Sequence, residues 1–257
     1  MAGTVEHLAV AWELAKRWRR SEETNSLHHI CRLDRFLAGN VCPDGIMARK
    51  GYTRDMKMHT HFRDGIPDYE FSKPEHLALF HQRIHEFMQR AWSCSSLDRD
   101  LYLGFLTHTL TDEYFMLNIR PEFMDKIAVL GLTQRDAKTF EHFTYDVNQI
   151  DYRLAAEYPG MDQVYTLLKQ VEPYEILDFT LETDQSGDYS GNSLQDGRRI
   201  PAMMTREELS DSRRWILSFF FENAPEPEEP VYYTYARGLD FIGEAVEFIE
   251  NHVDTYL

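Results

Sequence analysis

The stretch Gly104-Phe105-Leu106-Thr107-His108-Thr109-Leu110-Thr111-Asp112-Glu113-Tyr114-Phe115 sets an imidazole and a carboxylate four residues apart inside an apolar run that reads as a buried helix. On a helix, residues i and i+4 share one face, a turn apart. Burying such a pair among apolar groups costs free energy unless the two groups pair or hold a cation. The same spacing returns in His142-Phe143-Thr144-Tyr145-Asp146 on a later helix. Two His-x-x-x-Asp pairs on two helices point to an all-α protein with a metal cluster inside it.

The pattern on either side is helical too. Apolar spacing predicts a first helix over about Val5 to Arg20, closed by the basic Lys16 to Arg20. A second helix is predicted over Leu27 to Leu37, ended by Gly39-Asn40. Residues 41–72 carry Gly, Pro and Asp without a sustained period and read as a long ordered loop or a series of short helices. Pro74 opens a helix to about Trp92, and Ser95-Ser96-Leu97-Asp98 caps the helix that holds His108. Pro121 ends or interrupts that helix.

Thr133 opens the next helix, which runs to Glu157 before Pro159-Gly160. Shorter helices are predicted over Asp162 to Gln170 and Pro173 to Leu177, then a polar loop at about 183–201. Thr205 with Glu208 forms a capping box for a helix ending near Glu222. A stiff acidic connector, Ala224 to Pro230, leads to a final amphipathic helix over Thr234 to Asp254. Length and 43% hydrophobic content fit one domain spanning all 257 residues.

The net charge of -16 argues against a general nucleic-acid surface, because neutralising phosphates takes Lys and Arg. A local phosphate site built on metal ions stays open, since the ions bring their own charge. The three cysteines, Cys31, Cys42 and Cys94, form no Cys-x-x-Cys unit, which argues against a zinc knuckle or a disulfide framework. No leader pattern and no stretch of membrane-spanning length is visible, so the expected location is cytoplasmic. Oligomeric state is not legible.

Hydrolytic metal clusters need several hard or borderline ligands aimed at one point, and His nitrogen with Asp oxygen suits zinc. The candidates are His7, Asp44 and His61 in the long loop, His108 with Asp112, and His142 with Asp146. His81 and His85 share a helix face with Gln82, Arg83 and Glu86 around them and read as solvated, or as groups standing behind the metal ligands. The aromatic run Trp215 to Phe221 reads as core.

Three segments carry a resemblance: His7-Leu8-Ala9-Val10-Ala11; Phe36-Leu37-Ala38-Gly39-Asn40-Val41-Cys42-Pro43-Asp44 with His61-Phe62 downstream; and Gly104 to Asp112. Together they resemble the bacterial zinc-dependent phospholipase C superfamily, which includes the fungal single-strand zinc nucleases. The resemblance covers roughly the first 150 residues. It implies a single-domain helical bundle with up to three zinc ions in a cleft.

It further implies that Asp44, His61, His108 and Asp112 hold a first zinc. Asp112 would bridge to another zinc shared with His7, and His142 and Asp146 would serve a further one. Asp44 is also the implied general base, because a carboxylate beside an activated water can accept its proton. Two departures reduce the expected count to one or two ions. Asn118 stands where the family has a His, and Met1 where its secreted members have a Trp. The implied activity is hydrolysis of a phosphodiester or phosphomonoester, with a small phosphate ester or phospholipid headgroup as substrate. The rival expectation is a cation-binding or scaffold member without chemistry.

Overall fold

The computed structural model describes residues 1–19, 28–94, 98–181, 193–195 and 198–257. It is all-α, built around one helix, α6 (Arg99–Tyr114). Every residue from Asp100 to Glu113 is buried, so this helix is wrapped on all sides. Its threonine hydroxyls stay satisfied by donating back along the helix: Thr107 to the Gly104 carbonyl, Thr109 to Phe105 and Thr111 to Thr107. Asp98 caps its start, while Ser95 and Ser96 lie outside the described residues.

α1 (Thr4–Trp18), α2 (Leu33–Asn40), α5 (Pro74–Ser93) and α11 (Tyr235–His252) pack against α6. The α2 crossing is the closest. A Cβ on Gly39 would stand 1.9 Å from the Leu101 carbonyl oxygen, and one on Gly104 would stand 2.0 Å from that of Phe36. The two helices therefore touch backbone to backbone. Residues 41–72 form short helices rather than a loop: α3 (Cys42–Gly45), α4 (Arg54–Thr60) and single turns at Ile46–Ala48 and Asp68–Glu70. After α6 the chain widens into a π-turn, Phe115–Ile119, and continues as α7 (Arg120–Ala128). Pro121 sits in the first turn of α7, where its missing N–H is tolerated. α8 (Ala137–Glu157), α9 (Met161–Gln170) and α10 (Arg206–Ile216) complete the helices, with a second π-turn at Leu217–Glu222.

Several boundaries differ from the sequence reading. The second helix starts at Leu33, because the Asp100 carboxylate holds the Cys31 and Arg32 N–H groups and keeps the chain extended there; Leu27, where the sequence places the start, lies outside the described residues. α8 starts at Ala137 rather than Thr133: the Thr133 N–H and hydroxyl both donate to Asp136, a side-chain turn that competes with helix. Pro173 to Leu177 is not helical. Ile176–Leu177 is a short strand, β1, paired antiparallel with β4 (Ala202–Met204). A second small antiparallel pair joins β2 (Ser193–Gln195) to β3 (Arg198–Ile200), within the predicted polar loop. Residues 182–192, 196 and 197 of that loop lie outside the described residues. The Thr205–Glu208 capping box forms as read. In the aromatic run Phe220 is buried, but Trp215 is 46% exposed and stacks on Phe219.

His59 at the end of α4 ties this region to the strand segment. Its Nδ1 lies 2.9 Å from Asp64 and its Nε2 lies 3.1 Å from Asp178. Hydrogen bonds to Asp178 and Asp64 lift the imidazole to about 10 despite partial burial.

Two outcomes follow from this architecture. Gly104→Ala should lower stability by about 1–3 kcal/mol or more, because the new methyl meets backbone that cannot rotate away; a loss under about 0.5 kcal/mol in urea unfolding would contradict the close crossing. For His59, a pKa raised on folding gives stability that is full below about pH 6.5, the ordinary imidazole value, and lost as pH rises towards about 10. The melting-temperature gap between wild type and His59→Gln should therefore narrow between pH 6 and pH 10. A constant gap would show that the clasp carries no charge.

Candidate metal centre

Five of the seven sequence-nominated residues meet at one point. His7 comes from α1, Asp44 from α3, His61 from the end of α4, and His108 and Asp112 from α6. His7 and His108 are each 1% exposed, His61 2% and Asp112 4%. Two triads have ligand atoms mutually within 4.8 Å: His7, His108 and Asp112, and Asp44, His61 and His108.

The backbone fixes how the imidazoles point. His108 Nδ1 lies 2.7 Å from the Asn40 carbonyl, at the open C-terminal end of α2. His61 Nδ1 lies 2.8 Å from the Lys57 carbonyl. A carbonyl only accepts, so both Nδ1 atoms carry the hydrogen. Burial holds both rings below the usual imidazole range, His108 further than His61, so both are neutral near pH 7. Each Nε2 is then a bare lone pair, and the two Nε2 atoms face each other at 3.3 Å. Such a contact is not a hydrogen bond between neutral rings. Two lone pairs opposed in a dry interior repel each other unless a cation stands beside them.

The carboxylates repeat the pattern. Asp112 Oδ1 accepts from the Ala2 N–H at 3.0 Å and stands 3.2 Å from His7 Nε2. That His7 contact is too poorly aligned for a hydrogen bond, and neither ring nitrogen of His7 has a hydrogen-bond partner among the described residues. Asp112 Oδ2 is buried without a hydrogen-bond partner among them, 3.6 Å from His61 Nε2 and 3.8 Å from His108 Nε2. Burial alone would raise the Asp112 carboxyl, but its contact with His7 and the nearby N-terminus outweigh it and hold it below the usual carboxylate range. His7 and His108 lie flat on each other with ring centres 3.7 Å apart. The donor set is therefore three imidazoles and two carboxylates, with several orphaned lone pairs converging. It fits a zinc-type ion.

The start of α1 is held by its neighbours. Asp151 of α8 accepts from the Val5 and Glu6 N–H groups, and Glu6 accepts from the Gly3 N–H and the Tyr233 hydroxyl. A Cβ on Gly3 would overlap the Asp151 carboxylate. These bonds set where His7 stands. At the end of α4, Phe62 has a positive φ of 58°, held by its ring packing on Phe87 and Phe105. This strained turn aims His61 inward.

His142 and Asp146 are not brought to this centre, a correction to the expectation of a further zinc there. Asp146 is fully buried, but Oδ1 accepts from the Val231 N–H and Oδ2 from those of Tyr232 and Tyr233, at 2.7, 2.7 and 2.8 Å. Its oxygens anchor the chain after the acidic connector. His142 packs on the Tyr232 ring. Asn118 is exposed and donates to the Tyr114 carbonyl of its own helix, so it does not face the centre either.

Sequence reasoning missed Lys57, whose Nζ lies 2.6 Å from Asp44 Oδ1. It stands one turn before His61, a spacing that could have flagged it. It also missed the flanking pair of Arg63, which bonds Asp68, and Arg120, 3.3 Å from Asp68. Of the two histidines read as solvated or as standing behind the ligands, His81 meets the buried Glu113, next to Asp112, at 2.6 Å, whereas His85 bonds Gln89 on its own helix. A narrow recess lined by His61, Arg63, Phe71, Thr109, Asp112 and Met116 runs beside the centre. Among the described residues no helix is long and apolar enough to cross a membrane.

Comparison of the chain with protein-family models, with curated proteins and with solved structures gives no match. The functional reading therefore rests on this geometry.

Asp146→Ala should cost on the order of 3–5 kcal/mol, since it leaves three N–H groups of the connector unpaired, while the metal content of the folded protein stays unchanged. Loss of a bound ion in this variant, with the fold intact, would restore Asp146 as a ligand.

Proposed function

We propose that the chain is a metal-dependent phosphoesterase whose ion is held by residues drawn from His7, Asp44, His61, His108 and Asp112. The observation that carries the reading is the pair of buried, neutral imidazoles whose lone pairs face each other at 3.3 Å beside an unpartnered carboxylate oxygen. Without a cation this arrangement is repulsive and desolvated; with one it is satisfied. Zinc suits the donor types, and when bound it supplies Lewis-acid polarisation of a phosphoryl oxygen and of water.

The chain's own residues supply the rest. The Asn40 and Lys57 carbonyls orient the ligating rings and fix their tautomers. Asp112 presents one oxygen towards His7 and the other towards His61 and His108, which places its charge among all three imidazoles. Lys57 beside Asp44, and Arg63 and Arg120 beside Asp68, place positive charge around the centre, which favours an anionic substrate over a cationic one. The resemblance makes Asp44 the base. Burial would raise its carboxyl, but the Lys57 charge beside it outweighs burial and holds it well below the usual range. A carboxylate held that way is a weak base, so Asp44 fits binding and orientation better than proton uptake.

A second reading, a cation-binding protein without hydrolysis, is favoured by the depth of the centre, where four of the five side chains are under 5% exposed. Both readings require the ion.

His108→Ala should abolish zinc retention through dialysis and remove the thermal stabilisation that zinc confers on the wild type. Hydrolysis of chromogenic phosphate monoesters and diesters by the zinc-loaded wild type then separates enzyme from binding protein. Zinc held equally by wild type and His108→Ala would overturn the assignment of the centre.

A further inference from the structure

The two triads share one atom. His108 contributes to both, yet its Nδ1 is committed to the Asn40 carbonyl, so only the Nε2 lone pair is available. One lone pair serves one ion, so with His108 on the His7 side an ion beside Asp44 would be held by Asp44 and His61. The charges on the two sides differ as well. On the His7 side no Lys or Arg among the described residues contacts the carboxylate, and Asp112 Oδ2 has no hydrogen-bond partner among them. On the Asp44 side, an ammonium already stands 2.6 Å from Oδ1, the same oxygen that lies 3.2 Å from His61 Nε2. The Lys57 side chain is only 13% exposed, and its own carbonyl orients His61. It is built into the centre rather than laid over it.

We propose that Lys57 is the resident second cation of this centre: the site holds one divalent ion, on the His7–His108–Asp112 side, and the Lys57 ammonium takes the place of another ion beside Asp44. A second divalent ion at Asp44 would have to displace the ammonium or sit within a few ångströms of it in a poorly screened interior. The ion and the ammonium would stand on opposite sides of the His61–His108 contact, two positive charges that would together clamp a tetrahedral oxyanion such as a phosphate group reaching the centre. An ammonium is a compact point charge with three donors, suited to that contact. The inference rests on the metal reading above and goes beyond it by fixing the ion count and naming a non-metal contact for the anion.

The test compares wild type, Lys57→Met and Lys57→Arg. Zinc per chain is measured by elemental analysis after dialysis, and inorganic phosphate affinity of the zinc-loaded proteins by calorimetry. Wild type and Lys57→Arg should hold one zinc. Lys57→Met should hold two, and should bind phosphate roughly tenfold more weakly or worse, the loss of one charge-assisted hydrogen bond. Two zinc ions in wild type, one in a folded Lys57→Met, or unchanged phosphate affinity in that variant would each overturn the proposal. The wild-type count tests it even if Lys57→Met does not fold. No zinc in wild type would overturn the metal reading itself, and this inference with it.

Discussion

The close crossing of α2 and α6 is the constraint on which the centre depends. Gly39 and Gly104 let the two backbones meet with no side chain between them. Only at that distance does the open carbonyl at the end of α2, that of Asn40, reach the His108 ring, while the Asn40 amide donates to Thr107. The carbonyl then decides which nitrogen of His108 is protonated and which faces inward. A larger residue at either glycine would separate the helices, free the ring and close the centre to a cation. Backbone packing thus sets the chemistry of a side chain that neither glycine touches.

The two His-x-x-x-Asp pairs show why spacing alone does not make a ligand. Both lie one turn apart on a helix, and both aspartates are buried. In one pair the carboxylate keeps an unpartnered oxygen next to imidazole lone pairs. In the other, three backbone N–H groups have taken both oxygens, leaving an anchor for the last stretch of chain. What distinguishes them is the fate of the remaining lone pairs, and that is set by segments more than eighty residues away. The Asp151 and Glu6 carboxyls are a third case. They are buried beside His7 but fully engaged in fixing the start of α1, and burial pushes both upward, Asp151 further because of the charge on Glu6.

Much of the centre was legible in the sequence because its strongest elements are local. The His108–Asp112 spacing, the helix around it and the Thr205–Glu208 box each depend on neighbours within one turn. Two helix starts are set by side chains gripping the backbone: that of α2 by Asp100 across the fold, and that of α8, expected at Thr133, by Asp136 three residues on. Lys57 and Asn40 escaped notice because their roles arise from contacts of α4 with α3 and of α2 with α6. Lysine is an ordinary helix residue until its neighbours are known. The short strands escaped because Ile176 and Leu177 show no alternation and acquire their pairing only from residues 202–204.

The account's central claim is that opposed lone pairs in a dry interior mark a cation site. Diffraction from zinc-soaked crystals, measured on both sides of the zinc absorption edge, tests it most directly. The account predicts a strong anomalous peak within ligand distance of His7, His108 and Asp112. A centre that shows only water at full zinc loading, or a peak beside His142 and Asp146 instead, would contradict it.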